Sequence, residues 1–164
     1  MSLFGCKEIF TNSHQGLMKL VWSAIGAAIA IGLALWLAAD DSSLFLLASL
    51  GGSTVFLFGL TDAEAAQPRA LFGGHLAGAT IGIFCFQFFG DALWVSVVAV
   101  VLTMVFMMMT RTIHPPAGAN PLFMVHYHAS FQALLKPVGL GVFILFLVTV
   151  IWSRMRPGKR YPVT

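Results

Sequence analysis

One histidine, one asparagine and three prolines stand close together in residues 111–121, which read RTIHPPAGANP. This stretch lies between two strongly apolar runs. Because proline lacks a backbone N–H and blocks a helix interior, we expect the stretch to be irregular. In a bilayer, irregular backbone survives only where protein or trapped water satisfies its polar groups. A polar, helix-breaking stretch among membrane-like segments is therefore the first candidate for function.

The chemistry that suits this stretch is the binding of a small oxyanion. An anion that enters a membrane loses its hydration, and donors must replace it without a fixed charge that would trap it. Backbone N–H groups at a helix start supply such donors, since the helix dipole is positive there. Two successive prolines favour a helix start. The predicted anion site is therefore the backbone of Pro116 and of the three residues after it, Ala117, Gly118 and Ala119.

The polar side chains of the stretch allow a functional and a structural interpretation each. His114 either donates to the anion or relays a proton, since its charge changes near neutral pH, or it locks the turn by bonding a backbone carbonyl. Asn120 either offers amide donors or caps a broken helix. Arg111 and Arg69 either attract anions at an inner mouth or anchor the chain at the membrane surface.

The composition places the chain in a lipid bilayer. It has 164 residues, of which 59% are hydrophobic and 9% charged, whereas a soluble domain carries roughly 25% charge. The chain is predicted to be one integral membrane domain, with a cytoplasmic segment at 1–16, a bundle at 17–153 and a basic cytoplasmic tail at 154–164. No cleaved signal peptide is predicted. No carboxylate lies centrally in an apolar run and the motif has no Ser–His or Cys–His pair, so neither an enzyme nor a cofactor is predicted.

The apolar runs set the number of membrane crossings. Five are clear, at 17–39, 44–60, 71–89, 93–110 and 138–152. Basic residues flank the first and the last run, so both termini should be cytoplasmic and the number of crossings even. Either residues 114–125 also cross, partly extended and partly as a short helix, or four spans cross and one short segment dips in and returns.

The two halves of the chain resemble each other. Each has a long span that opens near a tryptophan, Trp22 or Trp94, then a short segment rich in glycine or proline, then a span behind Pro68 or Pro137. Short interrupted segments in corresponding positions of two halves point to a transporter's binding site. The predicted fold is an all-α polytopic bundle of four to six crossings, built as two three-helix inverted repeats with a short broken helix in each half.

The short segment of the first half is predicted to complete the site. Its Gly51-Gly52 pair suggests an interruption, behind which Gly52, Ser53 and Thr54 would offer backbone N–H groups and two hydroxyls. The alternative is a continuous helix that uses the two glycines for packing. His75 either faces a pore or sits at the interface. Three glycines at a spacing of four give the same span a face for close backbone approach: Gly74, Gly78 and Gly82.

Two further features suggest no special chemistry. His126 and His128 could belong to a metal site only with further ligands, of which His14 is the one obvious candidate, so no metal is predicted. Cys6 and Cys85 lack CxxC spacing and are expected to be free thiols.

The chain resembles the HPP family of integral membrane proteins, named for its His-Pro-Pro motif. Residues 111–119 carry the motif with its flanks, and a second block consists of GSTVFLF at 52–58, AQPR at 66–69 and GGH at 73–75. The resemblance covers most of the chain from residue 44 onward. The family usually has Gly-Ala-Ser where this chain has Gly-Ser-Thr at 52–54, and Asn-Pro at 120–121 is a further variation.

The resemblance implies transport of a small anion, since a plant organellar member and cyanobacterial relatives are associated with nitrite transport. We therefore predict a transporter or channel for a small inorganic anion, nitrite first, in the plasma (bacterial inner) membrane. Its expected partners are the lipid bilayer, the anion and a second copy of the chain in a homo-oligomer, but no nucleic acid. The alternatives are a membrane sensor or structural subunit that acts through partner proteins, or transport of a different small solute.

Overall fold

All regular structure in the described part of the chain is helical. The computed structural model describes residues 13–38, 48–155 and 160–163. Short 3-10 turns at Glu64–Ala66 and Pro115–Ala119, and a π-turn at Leu134–Gly139, connect the longer elements. The six α-helices in these ranges are α1 (Ser13–Ala38), α2 (Ala48–Gly59), α3 (Pro68–Phe89), α4 (Leu93–Thr110), α5 (Asn120–His126) and α6 (Leu140–Arg154).

Four helical segments are long and apolar enough to cross a membrane. They are Gly16–Ala38, Pro68–Phe89, Leu93–Thr110 and Leu134–Arg154, with 18 to 23 residues each, and a bilayer needs roughly 20. Local signals set their limits, since Pro68 opens α3 and Gly90, at a φ of 81°, ends it. The predicted all-α membrane bundle is confirmed.

Contacts at the two ends of α3 define the two ends of the bundle. The Arg69 guanidinium donates to the Thr110 carbonyl at 2.5 Å, so the end of α4 lies beside the start of α3. At the opposite end, His128 Nε2 lies 2.9 Å from Asp91 Oδ2. These are called the Arg69 end and the Asp91 end, and the 22 residues of α3 separate them by about 33 Å.

Residues 111–128 pass through the bundle from one end to the other. They leave α4 at the Arg69 end and reach Asp91 at the opposite end. Between these points the chain forms an extended stretch, a 3-10 turn and the seven-residue helix α5. The segment therefore does not dip in and return, and its course is the partly extended, partly helical passage of the six-crossing prediction. It is called the HPP segment below.

The long helices pair as two interlocked halves. The first helix of the first half, α1, packs along α6, and the first helix of the second half, α4, packs along α3. In the predicted inverted repeat α1 corresponds to α4 and α3 corresponds to α6. The pair of α1 with α6 is therefore equivalent to the pair of α4 with α3, as that repeat requires. Each half also has one short middle helix, α2 with 12 residues and α5 with seven.

The predicted break at residues 51–54 is wrong. Helix α2 runs without interruption from Ala48 to Gly59. A glycine inside a helix costs about 1 kcal/mol relative to alanine, and the packing of α2 against α1 and the HPP segment overrides this cost. A Cβ on Gly52 would lie 3.0 Å from the Pro116 Cβ, so this glycine allows close packing, as the alternative interpretation proposed.

The glycine face of α3 holds the HPP segment. A Cβ built on Gly78 would lie 2.7 Å from the Ala117 carbonyl oxygen, and one on Gly82 would lie 2.7 Å from the Pro121 Cα. Atoms of these kinds cannot move aside as a flexible side chain can. The close backbone approach predicted from the spacing of these glycines is confirmed.

Residues 160–163 return to the connection between α2 and α3. Tyr161 is 1% exposed, and its hydroxyl donates to the Ala66 carbonyl at 2.8 Å. Burial raises the pKa of the Tyr161 phenol, which stays protonated as a donor. Residues 160–163 are thereby held at the Arg69 end of the bundle.

A Tyr161→Phe variant should lose about 1 kcal/mol of stability, because the buried Ala66 carbonyl then has no partner. The raised folded-state pKa also makes the wild-type protein lose stability as the pH rises above about 10. The variant should lack this alkaline loss. Thermal unfolding in detergent as a function of pH measures both effects, and parallel pH profiles for the two proteins would contradict the assignment.

Candidate functional site

Five polar side chains meet inside the bundle and form what we call the buried polar cluster. Helix α2 contributes Ser49 and Ser53, α3 contributes His75, and the HPP segment contributes His114 and Asn120. Ser49 is 6% exposed and the other four are 0% exposed. Because polar groups deep in a membrane protein are costly unless paired, their meeting at one point calls for a physical account.

Ser53 lies at the centre of the cluster. Its Oγ is 2.7 Å from His75 Nε2 and 2.8 Å from His114 Nε2. The same oxygen is 3.1 Å from the backbone carbonyl of Ser49, one helical turn earlier. The two imidazole rings are held with their centroids 5.1 Å apart.

Asn120 joins the three elements that build the cluster. Its amide Nδ2 donates to His75 Nδ1 and to the His75 carbonyl, both at 3.0 Å. Its Oδ1 accepts from the Ser49 hydroxyl at 2.6 Å. Asn120 does not cap a helix, although it is the first residue of α5. It holds α2, α3 and the HPP segment together.

The partners of the two histidines determine where their hydrogens lie. His114 Nδ1 is 2.6 Å from the Ala65 carbonyl, which only accepts, so Nδ1 carries a hydrogen. His75 Nδ1 accepts from Asn120, so the hydrogen of neutral His75 is on Nε2. The hydrogen bonds then run in one direction, from Asn120 through His75, Ser53 and His114 to Ala65.

The cluster is free of carboxylates and its polar atoms are paired. Asp91 lies exposed at the far end of α3, where its hydrogen bond with His128 lowers the pKa of its carboxyl. In the described ranges, the one buried side-chain nitrogen or oxygen without a partner is Trp152 Nε1, which belongs to α6 and not to the cluster. The cluster is therefore a neutral network with no donor to spare.

Four of the residues predicted from the sequence meet here: Ser53, His75, His114 and Asn120. Thr54 does not join them, because its hydroxyl donates to the Leu50 carbonyl within α2. Gly52 packs on Pro116 beside the cluster.

The backbone N–H groups predicted to be bare are in part already bonded. The Ala117 N–H donates to the His114 carbonyl at 2.9 Å. The Asn120 N–H bonds the Ala117 carbonyl in the same way, so the 3-10 turn uses its own donors. Gly118 and Ala119 lie in this turn and are half-buried. The donors in the structure are side chains, because a tight turn closes its own hydrogen bonds.

The predicted charges and histidines lie at the two ends. Arg69 and Arg111 are exposed at the Arg69 end, where Arg111 closes α4 at a φ of 54°. His126 and His128 lie at the Asp91 end, and the His128 ring stacks on Phe86 at 4.7 Å. No three potential ligands for a metal ion come together among the described residues. Cys85 is a buried free thiol, while Cys6 and the side chain of His14 lie outside the described residues.

Two members of the site were missed from the sequence. Ser49 precedes Ser53 by four residues, so both face the same side of a helix, and that spacing could have identified it. The Ala65 carbonyl has no signal in the sequence, because any residue supplies such an oxygen.

Comparisons with known proteins agree with this architecture. The family model described as "HPP, transmembrane region" matches residues 12–162. Two curated transmembrane proteins of Dictyostelium discoideum are similar: one is 31% identical over 132 residues, 76% of this chain and 42% of that protein, and the other is 28% identical over 137 residues, 77% and 47%. The chain thus spans less than half the length of these relatives. No solved structure matches.

Proposed function

The chain belongs to the HPP family of transmembrane proteins, and from that premise we propose that it conducts a small inorganic anion, with nitrite the first candidate. The observation that carries the proposal is the convergence of two imidazoles on the Ser53 hydroxyl inside a membrane bundle. A hydroxyl, imidazoles and an amide are the neutral groups that can replace the hydration of an anion without trapping it.

The position of the cluster supports entry from the Arg69 end. His114 reaches the half-buried Ala65, which belongs to the surface connection there. The exposed Arg69 and Arg111 raise the local concentration of anions at that end. The bond from Arg69 to Thr110 gives the same residue a structural role as well.

The basic residues at the Arg69 end also indicate how the protein is oriented in the membrane. Tyr161 brings the end of α6 to the Arg69 end, so Arg154 lies there with Arg69 and Arg111. Because basic residues are retained in the cytoplasm, we place this end and both termini there, in the plasma (bacterial inner) membrane.

Passage needs movement, because the cluster is fully paired. An anion binds only if it breaks one of the bonds to Ser53. The contact that would open is the one between α2 and the HPP segment, where Gly52 packs on Pro116. The complete pairing also favours a second candidate, a sensor or structural subunit in which the cluster only locks the three elements together.

Replacing Ser53 with alanine should reduce anion flux about tenfold or more, since removing a positioned donor to a charged group costs about 1.5–3 kcal/mol. His114→Ala should do the same. The matched control is Thr54→Val, because the Thr54 hydroxyl bonds only within α2 and its loss should leave the flux unchanged.

The measurement is uptake by purified protein in liposomes, with nitrite tested against nitrate, formate and chloride. Uptake by empty vesicles is subtracted, because nitrous and formic acid cross lipid unaided. If folded protein gives no flux above empty vesicles for any anion, the transport proposal is wrong and the structural role is favoured.

A further inference from the structure

The Ser53 hydroxyl has three close partners, and although no group of the neutral cluster is unpaired, one of these three contacts lacks a hydrogen. A hydroxyl has one hydrogen to donate and two lone pairs to accept. The Ser49 carbonyl at 3.1 Å can only accept. His75 Nε2 at 2.7 Å carries a hydrogen, so it fills one lone pair.

His114 Nε2 is the partner that breaks the balance. In neutral His114 the hydrogen is on Nδ1, facing the Ala65 carbonyl at 2.6 Å. His114 Nε2 then carries no hydrogen and acts as an acceptor 2.8 Å from Ser53 Oγ. Two acceptors, His114 Nε2 and the Ser49 carbonyl, compete for the one hydrogen of Ser53, and its second lone pair is not used.

One added proton on His114 Nε2 gives each of the three contacts of Ser53 a hydrogen, and no heavy atom has to move. The proton adds to the nitrogen lone pair and gives an imidazolium, which donates to Ser53 and to the Ala65 carbonyl. The hydrogen of Ser53 turns to the Ser49 carbonyl. Its two lone pairs then accept from His75 and His114, and no covalent bond is broken.

We infer that His114 binds one proton, and that this proton crosses the membrane together with the anion. The inference rests on the proposed function. A buried imidazolium and a buried anion are each costly alone, but together they form a neutral pair. A hydronium ion on the side that supplies the anion gives up the proton and becomes water, and a water molecule on the other side accepts the proton and becomes hydronium.

The groups around the two histidines favour protonation of His114 over His75, and they limit the number of bound protons to one. His75 Nδ1 faces the Asn120 amide nitrogen, which is itself a donor and opposes a proton there. A second charge on His75 would repel the first across 5.1 Å between ring centroids. The α2 and α4 helices have no charged residue. Among the described residues, the charged groups at the Arg69 end are all exposed, and they include Asp62, Glu64, Arg69, Arg111, Arg154 and Arg160.

The test uses liposomes that contain a pH-sensitive dye, with the membrane potential clamped by potassium and valinomycin. A nitrite gradient should acidify the vesicle interior, with one proton for each anion after subtraction of empty vesicles. The flux should not respond to the potential, because the transported pair is neutral. Anion flux that the potential drives, with no movement of protons, would overturn the coupling and leave the proposed function standing.

Variants locate the proton. His114→Gln keeps polar atoms at this position but cannot become charged, so it should remove proton movement, and any remaining anion flux should become sensitive to the potential. Thr54→Val is the control and should keep the coupling. Proton movement that survives in His114→Gln would show that another group carries the proton. Absence of flux for every anion in wild-type protein would overturn the proposed function, and the coupling with it.

Discussion

Asn120→Asp should destabilise the protein by about 3–5 kcal/mol at neutral pH, although the two side chains have the same shape, because it leaves an unpaired charge in the interior. The aspartate oxygen that replaces Nδ2 would face the His75 carbonyl at 3.0 Å with no hydrogen between them. His75 Nδ1 would then need a hydrogen, and in the neutral ring that hydrogen has to come from Nε2. Ser53 would lose the donor that Nε2 supplies.

Thermal unfolding in detergent measures this effect, and its pH dependence provides an internal test. Only the charged form of the introduced carboxyl group is unpaired, and burial disfavours that form. The variant should therefore regain stability as the pH falls and the carboxyl group binds a proton, whereas a surface aspartate would not show this recovery. Ser49→Ala is the control, because it removes a single hydrogen bond and should cost about 1 kcal/mol. An Asn120→Asp variant as stable as the wild type at neutral pH would contradict the order of donors described above.

Gly78→Ala should destabilise the bundle by about 1–3 kcal/mol or more, because the added methyl group overpacks a close contact. Its carbon would lie 2.7 Å from the Ala117 carbonyl oxygen and 3.3 Å from Asn120 Cβ. To relieve this contact, the HPP segment must move away from α3. That movement would lengthen the bonds between Asn120 and His75, so anion flux should fall together with stability.

A helical glycine elsewhere in the bundle is the matched control for Gly78. A Cβ on Gly51 would meet nothing within 4 Å. Gly51→Ala should therefore stabilise the protein by up to about 1 kcal/mol, the difference in helix propensity. Both variants are compared by midpoint of thermal unfolding and by liposome flux. Equal midpoints for Gly78→Ala and Gly51→Ala would show that the HPP segment does not pack on α3 as closely as described.

Local sequence determined most of the helical architecture, because the signals it depends on are local. The length of an apolar run decides whether a helix can cross a bilayer, and the limits 93–110 predicted for α4 coincide with Leu93–Thr110. The prolines at 115, 116 and 121 predicted an irregular segment, and the spacing of three glycines predicted the face that holds it. The types of most cluster residues were also recognised, since polar side chains stand out in an apolar chain.

Tertiary structure decided what local sequence could not. The Gly51-Gly52 pair is compatible with a break or a helix, and the packing of α2 made it a helix. The sequence predicted backbone donors near Ala117, but the turn uses its own N–H groups. The contact between Ser53 and His114 joins residues 61 apart, and that between Ser49 and Asn120 joins residues 71 apart. Such pairs, and the direction of each hydrogen bond, depend on where whole helices lie. The sequence alone therefore placed the site in the HPP segment and the short segment of the first half, with His75 as a further candidate, and only the fold showed that α2, α3 and the HPP segment meet around one hydroxyl.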